Sequence, residues 1–287
     1  MIAITGATGA LGSRVVRLLA GPDRALRLLV RDPARLAQET DSEIALIESY
    51  TDGNGLRAAL TGCDTLLLVS ARESANRVRE HRTVIEAAAD AGVAKIVYIS
   101  FQGAAPDATF TFARDHWHTE QLILASGISH VFLRDSFYLS ALALLAGADG
   151  VIRGPAGDGR VAGVAHDDVA AVAATVLVDD RWDRTILDVT GPEALTLSEV
   201  AQRLSQVAGR TIRYVEETEQ QAYASRAGYG APAFEVAGWV SSYQAIAAGE
   251  VAAVSETVEQ VTGRTPRDFA EFLDSEPSSW AHLAVPS

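Results

Sequence analysis

Cysteine and lysine are nearly missing from this chain. Cys63 is the single cysteine in 287 residues, which excludes an internal disulfide or a thiolate metal cluster and fits a reducing compartment. Lys95 is the single lysine, so any chemistry that needs an active-site lysine has one candidate. Basic side chains are also in the minority: 24 Lys and Arg face 37 Asp and Glu, a formal net charge of -13. Bulk charge of that sign repels nucleic acid and anionic membranes, so neither is expected as a partner. No apolar run approaches the roughly 18–20 residues of a membrane span. Met1-Ile2-Ala3-Ile4 opens directly into a strand pattern, without the charged leader of a secretory signal. The expectation is a soluble, cytoplasmic protein.

What is present is alternation. Short apolar runs occur at Ile2–Thr5, Leu26–Val30, Ile44–Ile47, Thr65–Val69, Ile96–Ile99 and His130–Arg134. Their length and Val, Ile and Leu content suit parallel strands covered on both faces. Between them, Leu11–Ala20, Pro33–Gln38, Gly55–Leu60, Asn76–Ala91 and Arg114–Ser126 carry helical spacing, the last two ending at Gly92 and Gly127. This predicts an α/β, Rossmann-type, doubly wound parallel sheet over residues 1–150. Ligands on such sheets bind beyond the carboxyl ends of the strands, which singles out Gly6, Arg31, Ser70, Ser100 and Arg134.

Past residue 150 the rhythm changes. Five residues between Gly150 and Gly159 make a turn-rich stretch. A helix from His166 to about Val178, opened by Asp167 and Asp168, follows, then short strands near Ile186–Val189 and Thr211–Tyr214. Thr196-Leu-Ser-Glu199 has capping-box spacing. Residues 151–287 therefore read as a smaller, mostly helical substrate lobe, partly intertwined with the core. In Val236–Ala248, Trp239 and Tyr243 suit either core packing or a dimer contact.

Gly6-Ala-Thr8-Gly9-Ala10-Leu11-Gly12 lies between the first strand and the first helix. Glycines there let the backbone approach a pyrophosphate, and the helix start offers free N–H groups and positive dipole. The second strand ends in Arg31, where NAD-binding sites place an acid on the ribose 2′-hydroxyl. A guanidinium suits the 2′-phosphate of NADP(H) instead. Asp32, turned inward, would favour NAD(H), the less expected cofactor.

The glycine loop, the strand-end Val30-Arg31-Asp32 and the block from Thr119-Glu120 through Ser126-Gly127-Ile128 to Leu133-Arg134 together resemble the NmrA-like atypical short-chain dehydrogenases. Within them the chain is most similar to the quinone oxidoreductase type 2 and triphenylmethane dye reductase branch. The resemblance covers nearly the whole chain, Gly154–Asp168 and Gly191-Pro192 included. It implies a monomer or homodimer that binds NADPH and holds a small-molecule substrate between core and lobe. Gly6, Thr8, Gly9, Ala10, Leu11 and Gly12 would meet the pyrophosphate, Arg31 the 2′-phosphate, Ser70 and Ala71 the sugars and nicotinamide side, and Asp52 the region of the adenine. Ser100, as a strand end, joins the cofactor set.

Ordinary short-chain dehydrogenases pair a tyrosine acid with a lysine three or four residues later. A Tyr-x-x-x-Lys pair ending at Lys95 would need its tyrosine at position 91, which is Ala91, and the segment corresponding to the branch's Tyr-x-x-Lys reads Phe112-Ala-Arg-Asp115. A ketone needs a tuned acid to protonate its alkoxide, whereas a quinone or conjugated cation accepts hydride with positioning alone. The expected function is thus reduction of a conjugated, electron-poor small molecule. The alternatives are a non-catalytic dinucleotide sensor that regulates a partner protein, and a cofactor-assisted isomerase. His116 and Tyr138 are the candidate acids, each matching the same residue type in the resembling reductases. Phe101, Gln102, Trp117 and Phe137 are candidate pocket walls. His116 and His118 stand two apart, where a helical zinc pair wants four, so no metal is expected.

Overall fold

The Val-, Ile- and Leu-rich runs become strands and the helical spacings between them become helices. Over the described residues 1–21, 24–36 and 41–284 of the computed structural model, the chain runs β1 (Ile2–Thr5), α1 (Ala10–Leu19), β2 (Leu26–Val30), β3 (Glu43–Leu46), α2 (Gly53–Leu60), β4 (Thr65–Leu68), α3 (Arg77–Asp90), β5 (Lys95–Phe101), α4 (Thr111–Ser126) and β6 (Ser129–Asp135). It continues as α5 (Leu139–Leu144), β7 (Val151–Gly154), β8 (Arg160–Val161), α6 (His166–Val176), β9 (Thr185–Val189), β10 (Leu195–Thr196), α7 (Leu197–Ala208), β11 (Arg213–Glu216), α8 (Glu219–Arg226), α9 (Ala233–Ala247), α10 (Thr257–Thr262) and α11 (Phe269–Ser275).

One sheet, seven-stranded among the described residues, has the order β3-β2-β1-β4-β5-β6-β9. The pairs from β3 through β6 are all parallel. From β1 the chain winds outward to β3, then returns to β4 on the other side of β1. That reversal opens a crevice at the carboxyl ends of β1 and β4, the switch point where such sheets take ligands. β5 is buried at all seven positions, as a central strand covered on both faces must be. Leu28, Leu66, Leu67, Leu68, Tyr98 and Phe132 are fully buried in this layer. Truncating one such leucine to alanine costs about 2–5 kcal/mol.

The chain forms two compact units. The first comprises residues 1–106, 115–135 and 166–188, and the second comprises 107–114, 136–165 and 189–287. α6 lies beyond position 150 yet joins the first unit, where Arg14 Nε on α1 donates to Asp167 Oδ1 at 2.5 Å. Asp168, one residue on, is fully buried.

Several sequence expectations change in the structure. Of the expected helix Pro33–Gln38, the described residues form a single turn of 3₁₀ helix, Pro33–Arg35, and Ala37 and Gln38 lie outside the described residues. The turn-rich stretch after Gly150 contains β7, which pairs in parallel with β11, and β8, which pairs with β10. β9 adds to the large sheet. Thr196 and Glu199 form the anticipated capping box at the start of α7. Tyr243 is buried in the second unit. A Cβ at Gly154 would stand 2.2 Å from its ring, and the Arg226 guanidinium lies 5.2 Å from the ring centroid. Trp239 is half-buried, edge-on to Tyr229.

Candidate functional site

The loop between β1 and α1 is shaped by backbone proximity. Gly6 has φ +64°, and the Gly9 amide donates to Gly6 O at 2.9 Å, closing a tight turn. A Cβ on Gly12 would stand 2.2 Å from Gly6 O, so only glycine lets the first turn of α1 rest on the loop. Gly9 caps α1 with no side-chain hydrogen bond, and the first turn carries no acid. Gly9 and Ala10 are exposed, Thr8 half-exposed, and Leu11 and Gly12 buried. The result is a helix start whose first N–H groups have no side-chain cap, at the positive end of a ten-residue helix. Both its shape and its charge suit a diphosphate.

Arg31 follows β2 and is exposed, with no hydrogen bond or ion pair among the described residues. Asp32, the residue that would favour NAD, is otherwise engaged: its Oδ1 accepts from the Ala34 amide at 3.0 Å. Asp52 caps α2 by accepting from the Gly55 amide at 3.0 Å. Beside the cradle, Thr5 Oγ1 donates to Leu67 O and accepts from the Val69 amide. Tyr50 donates to Val69 O at 3.2 Å, and burial lifts its phenol to about 12. Thr5 and Tyr50 thus fix the end of β4, a role that sequence patterning did not disclose.

After β4 the chain passes through Ser70 and Ala71, both half-exposed. Two α3 side chains hold Ala71 by its backbone. The Ala71 amide donates to His81 Nε2 at 2.8 Å, and Arg77 Nε donates to Ala71 O at 2.9 Å. Arg77 Nη2 also donates to His116 Nε2 at 3.1 Å. A guanidinium can only donate, so His116 Nε2 is bare, and its proton sits on Nδ1, which reaches the Tyr98 hydroxyl at 2.9 Å. Close by, Thr119 Oγ1 meets His81 Nδ1 at 2.8 Å and donates to Asp115 O at 2.8 Å. By the same logic His81 carries its proton on Nδ1. Both histidines are neutral: burial, then the Arg77 charge, lowers His81 to about 3 and His116 well below the usual histidine range.

The structure places the candidate acid His116 inside this network. It is 6% exposed, both its nitrogens are committed, and its side chain packs beside Tyr98 and Phe101. Ser100 is likewise enclosed. Its hydroxyl donates to Glu120 Oε1 at 2.6 Å, and Arg134 forks onto the same carboxylate at 2.9 and 2.6 Å. The trio ties β5 and β6 to α4, and Ser100 is 0% exposed. Phe101 and Gln102 are buried at the end of β5, and Trp117 on α4 is half-buried against His118. Phe137 and Tyr138 belong to the second unit, half-buried, where Phe137 packs on Phe110 and Tyr138 caps α5. Lys95 opens β5 at the amino end of the sheet, in register with Thr65 on β4. Its ammonium is bound to Asp183 at 2.5 Å and Asp180 at 3.4 Å. The length of a seven-residue strand, about 23 Å, separates it from the carboxyl end.

Comparison with known proteins agrees with this geometry. The NmrA-like family matches residues 1–273. An NAD(P)H azoreductase of Xenophilus azovorans is 34% identical over 285 residues, 98% of this chain and 99% of its own. The crystal structure of an NADPH-dependent quinone oxidoreductase from Escherichia coli, complexed with NADPH, matches at 32% identity and a TM-score of 0.88, covering 96% of this chain and 99% of that one. The triphenylmethane reductase of Citrobacter sp., complexed with NADP(H), matches at 27% identity and a TM-score of 0.84, covering 96% and 100%. A family match across nearly the whole length, together with the glycine cradle at the sheet's switch point, makes this chain a member of the NmrA-like family.

Proposed function

We propose that this protein is an NADPH-dependent reductase of a quinone-like or other conjugated, electron-poor small molecule. The observation that carries the reading is the pairing of the uncapped glycine cradle with Arg31, exposed at the end of the next strand. The cradle's N–H groups would hold the diphosphate, and Arg31 would pair with the 2′-phosphate. Asp32 is held by its own turn and leaves Arg31 to set the preference for NADPH over NADH. The azoreductase and quinone oxidoreductase relatives support the same reaction class. When bound, NADPH supplies the hydride.

What remains for the protein is to position and to exclude water. Lys95 is tied to Asp183 at the amino end of the sheet and His116 is enclosed, so neither serves as the acid a simple ketone needs. Acceptors whose reduced form spreads its charge need no such group. Within the first unit we assign Ser70 and Ala71 to the cofactor and Phe101, Gln102 and Trp117 as pocket walls; taken by itself, the second unit offers Tyr138 as the remaining proton donor and Phe137 as a pocket wall. The protein is expected to act as a monomer or homodimer in the cytoplasm. The test is a spectrophotometric screen of quinones, azo and triphenylmethane dyes, and plain ketones with NADPH. Turnover on the conjugated acceptors supports the reading. Rapid turnover on a ketone with none on quinones would contradict it, and tight NADPH binding with no turnover at all would indicate a dinucleotide sensor.

A further inference from the structure

Arg77 is the charge in the first unit that the fold explains least. It is the first residue of α3, at the positive end of the helix dipole, and is 3% exposed. Nε and Nη2 bond neutral acceptors, Ala71 O and His116 Nε2. Nη1 is buried without a partner, and no carboxylate among the described residues forms an ion pair with the guanidinium. Asp115 on α4 acts on it only through its field, and Glu80 lies one turn along α3. Its other neighbours, His81, His116 and Tyr98, carry no charge to offset it. A guanidinium does not lose its proton, so a buried one is stable only with acceptors or a counter-charge. Arg77 stands six residues past Ala71, beyond the carboxyl end of β4 and beside the switch point.

We infer that Arg77 is a ligand-binding cation whose Nη1 donates to an anionic oxygen of a ligand held at the Ser70–Ala71 loop. The inference rests on the proposed function, in which that loop meets the cofactor. Two sources share this chemistry. One is a phosphate of the dinucleotide. The other is the oxyanion formed when a quinone gains a hydride, two electrons and one proton's worth of mass, from the cofactor, which is left oxidised. The resulting hydroquinone monoanion then takes one proton from solvent. In the second case Arg77 supplies the positive charge that the absent lysine supplies elsewhere.

The experiment compares wild type, Arg77→Lys, Arg77→Gln and Asp115→Asn, with folding checked by circular dichroism. It measures NADPH affinity by fluorescence titration and turnover with 1,4-benzoquinone. If the anion is on the dinucleotide, Arg77→Gln weakens NADPH binding at least about 20-fold while Arg77→Lys stays within about threefold. If it is on the acceptor, NADPH affinity holds and kcat of Arg77→Gln falls at least about 20-fold. Asp115→Asn leaves the Arg77 side chain unaltered and removes an opposing charge whose field acts on it, so the same quantity improves about two- to fivefold. That arm decides the matter if Arg77→Gln does not fold. An Arg77→Gln protein that matches wild type in both readouts, or an Asp115→Asn protein with neither improved, overturns the inference alone. A wild type that fails to bind NADPH overturns the proposed function and the inference with it.

Discussion

The first unit handles polar groups in two opposite ways. At the β1–α1 turn, backbone donors are left without a side-chain cap, with glycine at each close approach. Between α3, β5 and α4, polar side chains from three elements are buried and bonded to one another, with two histidines held neutral. The first arrangement is shaped to receive a partner, and the second spends its hydrogen bonds on holding Ala71 and the sheet. The lesson is that a polar residue near a strand's carboxyl end is not thereby available. Availability depends on whether its donors and acceptors are already taken.

Acid separates the two regions most strongly. His81 and His116 are neutral when folded but take up protons near pH 6.5 when unfolded. Their contribution to stability is therefore full above about pH 6.5 and is lost as pH falls toward about 3. Urea unfolding at pH 7 and pH 5 should show a loss of about 2 kcal/mol per histidine. The loss should shrink by one such share in His81→Gln. The cradle is made of backbone groups and should lose no cofactor affinity to its own titration over the same interval.

Gly12→Val breaks the other side of the comparison. Its side chain would collide with Gly6 O, and NADPH affinity should fall at least about 100-fold, roughly 3 kcal/mol. Calorimetric titration reads this directly. Arg31→Ala should weaken NADPH about 10–50-fold and leave NADH within about twofold, because only the phosphate contact is lost. Equal losses for both cofactors would remove Arg31 from the 2′-phosphate.

The fold and the cradle were legible because they rest on local pattern. Strand period, helix-ending glycines and the Gly6–Gly12 spacing all act within a few residues. The enclosed cluster was not legible, because its meaning lies in which distant side chains meet. His116 reads as an acid until Arg77 and Tyr98 are seen on its two nitrogens, 39 and 18 positions away. Ser100 reads as a strand-end ligand until Glu120 is seen beneath it. Tyr243 reads equally as core or dimer contact until Gly154 and Arg226 are seen to receive its ring.

Two smaller effects sharpen the contrast. His116→Ala should lower NADPH-dependent quinone turnover at most about tenfold, whereas removing a true general acid costs about 10²–10⁴-fold. Lys95→Met should leave turnover within about twofold while lowering the unfolding midpoint, since the half-buried Asp183 loses its buried partner.

The most direct test of the account is titration of the wild-type protein with NADPH and with NADH, followed by addition of a quinone to the NADPH complex. The account predicts NADPH binding at least about tenfold tighter than NADH, from the 2′-phosphate contact alone, and prompt oxidation when the quinone is added. Absence of NADPH binding would contradict it.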